Sequence, residues 1–113
     1  MEALNSLDVE GMAKYFADDI TAFVPLAQPQ RADDKPAVVE IFRRYVERTR
    51  TTTSHTNLVP EDLQIDVRGE TAIVSFHLRS TDAVGRRTFI FHRQDGRWLI
   101  IHFHASSFST TGR

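Results

Sequence analysis

Thr88-Phe-Ile-Phe-His-Arg-Gln-Asp-Gly-Arg-Trp-Leu-Ile-Ile-His-Phe-His104-Ala-Ser-Ser107 decides the fold. Asp95-Gly96 is a strong two-residue hairpin signal, because a type I′ turn needs positive φ at both central positions. The stretch therefore pairs the strand before it with the strand after it. Phe89, Ile90 and Phe91 are successive, as are Leu99, Ile100 and Ile101. Neighbouring strand residues point to opposite faces, so both faces of this sheet region are apolar. The N-terminal helices can cover only one of them, and the economical cover for the other is an identical subunit, sheet against sheet. A homodimer, and possibly a higher oligomer, is the expectation.

Upstream of the hairpin the hydrophobic period is two. Leu63, Ile65 and Val67 alternate with Gln64, Asp66 and Arg68, Arg68-Gly69-Glu70 makes a turn, Thr71–Arg79 follows, and Asp82–Gly85 turns into Arg86–Arg93. Further upstream the period is helical. Asp8 caps Val9, Met12, Ala13 and Phe16, predicting a helix over 9–17, and Ile20–Val24 reads as a short strand ended by Pro25. Asp33 or Asp34 caps a longer helix with Pro36 in its first turn and an apolar stripe of Ala37, Val38, Ile41, Phe42, Tyr45 and Val46. Helices followed by an antiparallel meander make an α+β protein. At 113 residues the chain is a single domain, 1–113.

The charge balance narrows the function. Fourteen Lys and Arg stand against fifteen Asp and Glu, and the cluster Arg43, Arg44, Arg48 and Arg50 is interrupted by Glu40 and Glu47. No basic stripe emerges, so nucleic acid is not an expected partner. With no cysteine, disulfides, thiolate metal sites and Cys nucleophiles are excluded. No apolar run approaches the ~20 residues of a membrane span and the start lacks a signal-peptide pattern, so no membrane and a cytoplasmic location are expected.

A pocket follows from the hairpin register. With a two-residue loop, Arg93 pairs with Trp98, Phe91 with Ile100, Phe89 with His102 and Arg87 with His104. This gives a concave face of Phe89, Phe91, Trp98, Ile100, His102 and His104, lidded by Tyr15, Phe16, Phe42 and Tyr45. A mostly aromatic cavity with few polar groups suits a small, flat, partly apolar organic ligand. His102 and His104 lie two apart on one strand, roughly 6–7 Å along it. They are structural histidines, ligand-orienting groups or, least strongly, a general acid or base, since an imidazole's ordinary pKa near 6.5 suits that work. His-x-His without a third ligand nearby does not make a metal site, and no cofactor is implied. Asp66 and Glu70 fall on a wet face or a turn, Asp18, Asp19, Asp33 and Asp34 read as caps and loop acids, and His77 and Arg79 as a solvated edge. No buried carboxylate is available as a catalytic base.

Leu4-Asn-Ser-Leu-Asp8, Ile20-Thr-Ala-Phe-Val-Pro25, His55-Thr-Asn-Leu58 and the spacing of His92-Arg-Gln-Asp-Gly-Arg-Trp98 to His102-Phe-His104-Ala-Ser106 resemble the nuclear-transport-factor-2-like, or SnoaL-like, superfamily with its cystatin-like fold. Within it they most resemble the association (hub) domain of calcium/calmodulin-dependent protein kinase II and its bacterial relatives. The resemblance implies a curved antiparallel sheet wrapped around N-terminal helices as a cone with a pocket, and homo-oligomers. It implies a long first helix that this sequence largely lacks. The hub's pocket arginines align with Leu78 and Phe89, so its anion-binding role does not carry over. The reading that results is a homo-oligomeric cone that binds a small, partly apolar molecule with no assignable reaction. The alternatives are an isomerase, cyclase or dehydratase using His102 or His104 as proton carrier, and a pure oligomerisation module.

Overall fold

The computed structural model describes residues 2–24, 31–53, 56 and 58–110. Its elements are α1 (Glu2–Asn5), α2 (Val9–Ala13), β1 (Phe16–Phe23), α3 (Lys35–Thr49), β2 (Glu61–Arg68), β3 (Thr71–Arg79), β4 (Ala83–Gln94) and β5 (Arg97–Ser109). Asp8 and Asp34 cap α2 and α3, each accepting a backbone N–H three residues on. Glu40 binds Arg43 at 2.9 Å and Arg44 at 3.3 Å along α3, which offsets part of the arginine cluster's charge within the helix.

The helix expected over 9–17 ends at Ala13. Pairing wins over helical periodicity here: the Tyr15 carbonyl accepts from the Ile100 N–H at 2.6 Å, and Phe16 stands opposite Ile100 in β5. β1 therefore starts earlier than the sequence suggests and joins the sheet parallel to β5. The meander β2 to β5 is antiparallel, giving a five-stranded sheet ordered β1-β5-β4-β3-β2, curved and unclosed. Asp95 and Gly96 both have positive φ, 52° and 77°, as the I′ turn requires.

The core lies between α3 and the β1/β5 half of the sheet. Leu7, Ile20, Val38 and Phe103 are its largest fully buried side chains. Leu7 holds φ at 58° in the joint between α1 and α2, a conformation costing a non-glycine residue about 1–2 kcal/mol. Its complete burial, worth roughly 1.5–3 kcal/mol, offsets that strain, and Arg50 donates to its carbonyl at 3.0 Å. Asn5 fastens α1 to the segment before β2: its Oδ1 accepts from the Leu58 N–H at 2.8 Å and the Thr56 hydroxyl at 2.9 Å. Two of the motifs that carry the family resemblance are thus joined in space.

Helix cover of the concave face is only partial. Ile65 and Val67 pair with Val74 and Ala72 and so share the helix side, as Leu63 does by alternation. All three are more than half exposed. The expectation that the N-terminal helices hide the whole face holds over β1 and β5 and fails over β2.

Candidate functional site

A cavity of about 570 Å³ lies where the covered half meets the open half. Its floor is Val74 and Phe76 of β3, Phe89 and Phe91 of β4 and Ile100 of β5; Phe16 and Phe42 form one wall, and Leu4 and Met12 roof it. Strand alternation puts Val74 opposite Phe89 and Phe91 opposite Ile100 on one face. Phe76 stacks on Phe89 with ring centroids 5.8 Å apart and an interplanar angle of 8°, and Phe89 stacks on Phe103 at 5.3 Å and 16°. The floor thus carries near-parallel aromatic rings. Polar groups stand apart from it: Ser6, Asp8, Lys14 and Tyr15 also line the cavity, and Asp8 and Tyr15 are exposed. The Asp8 carboxylate, the one acidic group among the described lining residues, is engaged in capping, accepting from the Gly11 N–H at 3.0 Å.

Six of the residues expected in the pocket meet there: Tyr15, Phe16, Phe42, Phe89, Phe91 and Ile100. Tyr45 packs against the core beside Phe42 and does not line the cavity. Trp98 pairs with Arg93 as expected but does not line the cavity; it is 37% exposed, with the Arg93 guanidinium 6.0 Å from its ring centroid. Val74 and Phe76 were missed, although the alternation Ala72, Val74, Phe76, Leu78 on β3 carries them.

His102 and His104 are the main correction. The hairpin starts in the expected register, with Arg93 opposite Trp98 and Phe91 opposite Ile100. A bulge then leaves Ile101 unpaired, so that Ile90 faces His102, Phe89 faces Phe103 and Arg87 faces Ala105. One extra residue inverts the parity of everything beyond it. The expected pairs Phe89–His102 and Arg87–His104 do not form, and both histidines turn to the outer, helix-free face. Phe103 takes the inner place, 2% exposed, packed on Phe16, Phe42 and Phe89.

On the outer face the His102 Nδ1 lies 2.7 Å from the Thr21 hydroxyl, and the Phe23 ring sits 6.2 Å from His102 and 5.5 Å from His104. Partial burial holds the His102 pKa below the ordinary imidazole value, with the nearby His104 and Arg31 acting in the same direction and a hydrogen bond to the Thr21 backbone opposing them. His77 and Arg79 sit in an ion-pair cluster with Glu61 and Asp62: Asp62 Oδ2 is 2.8 Å from His77 Nδ1 and 2.9 Å from Arg79. Hydrogen bonds from His77 and then Arg79 hold the Asp62 carboxyl below the usual carboxylate range. Arg87 stands opposite Phe76, but its guanidinium turns away to donate to the Arg86 and Ser106 carbonyls at 3.1 Å over Gly85. Burial lowers its pKa.

The cavity can receive a flat apolar body, and among the described residues its lining includes neither a histidine nor a free carboxylate to move a proton. Among the described residues no group of three or more His, Cys, Asp or Glu could hold a metal ion. Nor is any described helix long and apolar enough to cross a membrane.

A family model described as a SnoaL-like domain matches residues 1–110. The chain belongs to the SnoaL-like family. Solved structures agree on the fold. An NTF2-like protein of unknown function from Pseudomonas putida superimposes with a TM-score of 0.78 at 23% identity, over 92% of this chain and 75% of that one. A proposed dehydratase of the NTF2-like family from Streptomyces avermitilis gives 0.76 at 18% identity, over 95% and 86%. The association domain of calcium/calmodulin-dependent protein kinase II from C. elegans gives 0.68 at 16% identity, over 92% and 84%. The fold is thus shared by chains with different described roles, and in this one the cavity floor is aromatic.

Proposed function

We propose that this SnoaL-like protein binds a small, flat, partly apolar organic molecule in the cavity over Phe76 and Phe89, and that it works as a homodimer. The observation that carries the first part is the aromatic floor with polar groups only around it; such a site gains from burying a ring. The second part is supported by an apolar patch on the outer face, where Ile73 is 40% exposed and Ile90 and Leu99 are half-buried, and by the fold shared with association domains. The enzyme alternative loses its support in the geometry, since both proposed proton carriers, His102 and His104, lie on the face opposite the cavity.

The test is titration with an uncharged naphthalene-type fluorescent probe. Saturable binding at one probe per chain is expected, with affinity falling at least ~10-fold in Phe89→Asp at unchanged far-UV circular dichroism, because a carboxylate in the floor must be desolvated. Binding that ignores this substitution would remove the cavity from consideration. Sedimentation tests the second part, and a monomer at micromolar concentration refutes it.

A further inference from the structure

The bulge at Ile101 has a consequence for the outer face. His102 and His104 arrive there beside His92, which pairs with Thr71 and Leu99, and His77, which pairs with Arg86. All four described histidines therefore share one side of the sheet, the side offered above to a second copy. On β2, β3 and β4 that side carries Glu61, Asp62 and Asp66 against Arg68, Arg79 and Arg86. The carboxylates are already engaged within the protomer: Asp66 with Arg68, Glu61 with Arg79, and Asp62 with Arg79 and His77. At the hairpin end Arg97 shares a depression with Asp18, Asp19, Lys14 and Lys35. With neutral imidazoles the strand charges balance, and between them lie Ile73, Ile90 and Leu99.

We infer that the outer face is an acid-sensitive interface between two copies of this chain, closed while His92, His102 and His104 are neutral and opened when they take up protons. This rests on the self-pairing reading above. His92 is flanked by Thr71 and Leu99, His102 by Thr21 and Ile90 with His104 and Arg31 nearby, and His104 by Phe23 and Thr88. Among the described residues none of the three is paired with a carboxylate, and Asp33, the acid nearest this group through Arg31, is engaged by that arginine, so an imidazolium buried between two sheets would be an unpaired charge. His77 differs, because Asp62 receives its charge within the protomer. A two-fold interface repeats each imidazole, so every residue that must stay neutral counts twice.

Sedimentation velocity of the whole chain at pH 7.5 and 5.5 tests this. An imidazole of ordinary pKa excluded from protonation in the dimer weakens association ~10-fold over that interval, so one symmetric pair gives ~100-fold. The expected result is a dissociation constant at least ~100-fold higher at pH 5.5 with unchanged far-UV circular dichroism, and a His92→Gln/His102→Gln/His104→Gln variant whose association no longer responds to pH. A dimer equally tight at both values overturns the acid response and leaves self-pairing intact. A monomer at both values overturns the self-pairing reading, and this inference with it. A variant that keeps the full response overturns the assignment to these histidines. Should the triple variant not fold, His102→Gln alone is expected to reduce the pH dependence of the wild-type constant, and an unchanged dependence counts against the proposal.

Discussion

On the helix side of the sheet, the two edges follow the same alternation of side chains and end in different environments. At the β1/β5 edge Ile20, Ala22 and Phe103 are almost fully buried beneath α3, which contributes Val38 and Val46. At the β2 edge Leu63, Ile65 and Val67 point the same way and remain 54%, 61% and 59% exposed. Alternation therefore tells which side a residue faces, and connectivity tells whether anything waits there. α3 follows β1 directly in the chain and packs back on it, whereas none of the described helices packs on β2. The cavity lies along the boundary between the two conditions, which is why it is apolar and still open.

The sharpest way to break the comparison is a truncation at the covered edge. Phe103 touches three aromatic rings and is 2% exposed. Phe103→Ala should destabilise the fold by about 3–5 kcal/mol in urea unfolding, and a cost under about 1 kcal/mol would mean that the covered edge is as loose as the open one. At the hairpin end of β5 the expected effect is smaller. Trp98 keeps about a third of its surface in water and one face near Arg93. Trp98→Ala should cost about 1–2 kcal/mol, well below the value for a core tryptophan.

How much of this was legible in the sequence follows the same physics. Local signals carried the fold: the Asp34 cap and Pro36 of α3, the Arg68-Gly69-Glu70 turn and the Asp95-Gly96 hairpin all stand where the residues put them. The start of the hairpin register, from Arg93–Trp98 to Phe91–Ile100, was legible because a two-residue turn dictates it. Beyond Ile100 it was not. A bulge carries no residue signature in Leu99-Ile-Ile-His102, since any of three successive apolar residues could be the extra one, and the placement of His102, Phe103 and His104 inverts with it. The early start of β1 was hidden for a similar reason: Tyr15 and Phe16 suit a helix, and only their pairing with Ile100, far along the chain, overrides that preference.

A pH scan separates the edges by charge. Folding holds the His102 pKa down, chiefly by burial, so the unfolded chain binds its proton more readily than the native state. That contribution to stability is complete above the ordinary imidazole value and is lost as the pH falls through it toward the lowered native one. Asp62, beyond the open edge, is held down by His77 and Arg79, and its contribution is lost only at the lower pH where carboxylates titrate. Thermal melts of the dilute chain should thus weaken in two separate acid steps, and His102→Gln should remove the upper one alone. A single step surviving unchanged in that variant would detach the upper step from His102.

The smallest expected effect is the most direct measure of the contrast. Ile65→Thr keeps a β-branched residue in the strand and removes apolar surface that is already 61% exposed. Its cost should stay within about 0.5 kcal/mol, as for substitutions remote from packed groups, against several kcal/mol for Phe103→Ala. Binding of the naphthalene-type probe should change little, because Ile65 does not line the cavity although its partner Val74 does. A loss above about 2 kcal/mol in Ile65→Thr would require that this stripe be buried in solution. In that case the open edge would be a second contact surface, and the division of the sheet into a covered and an uncovered half would describe the isolated chain alone.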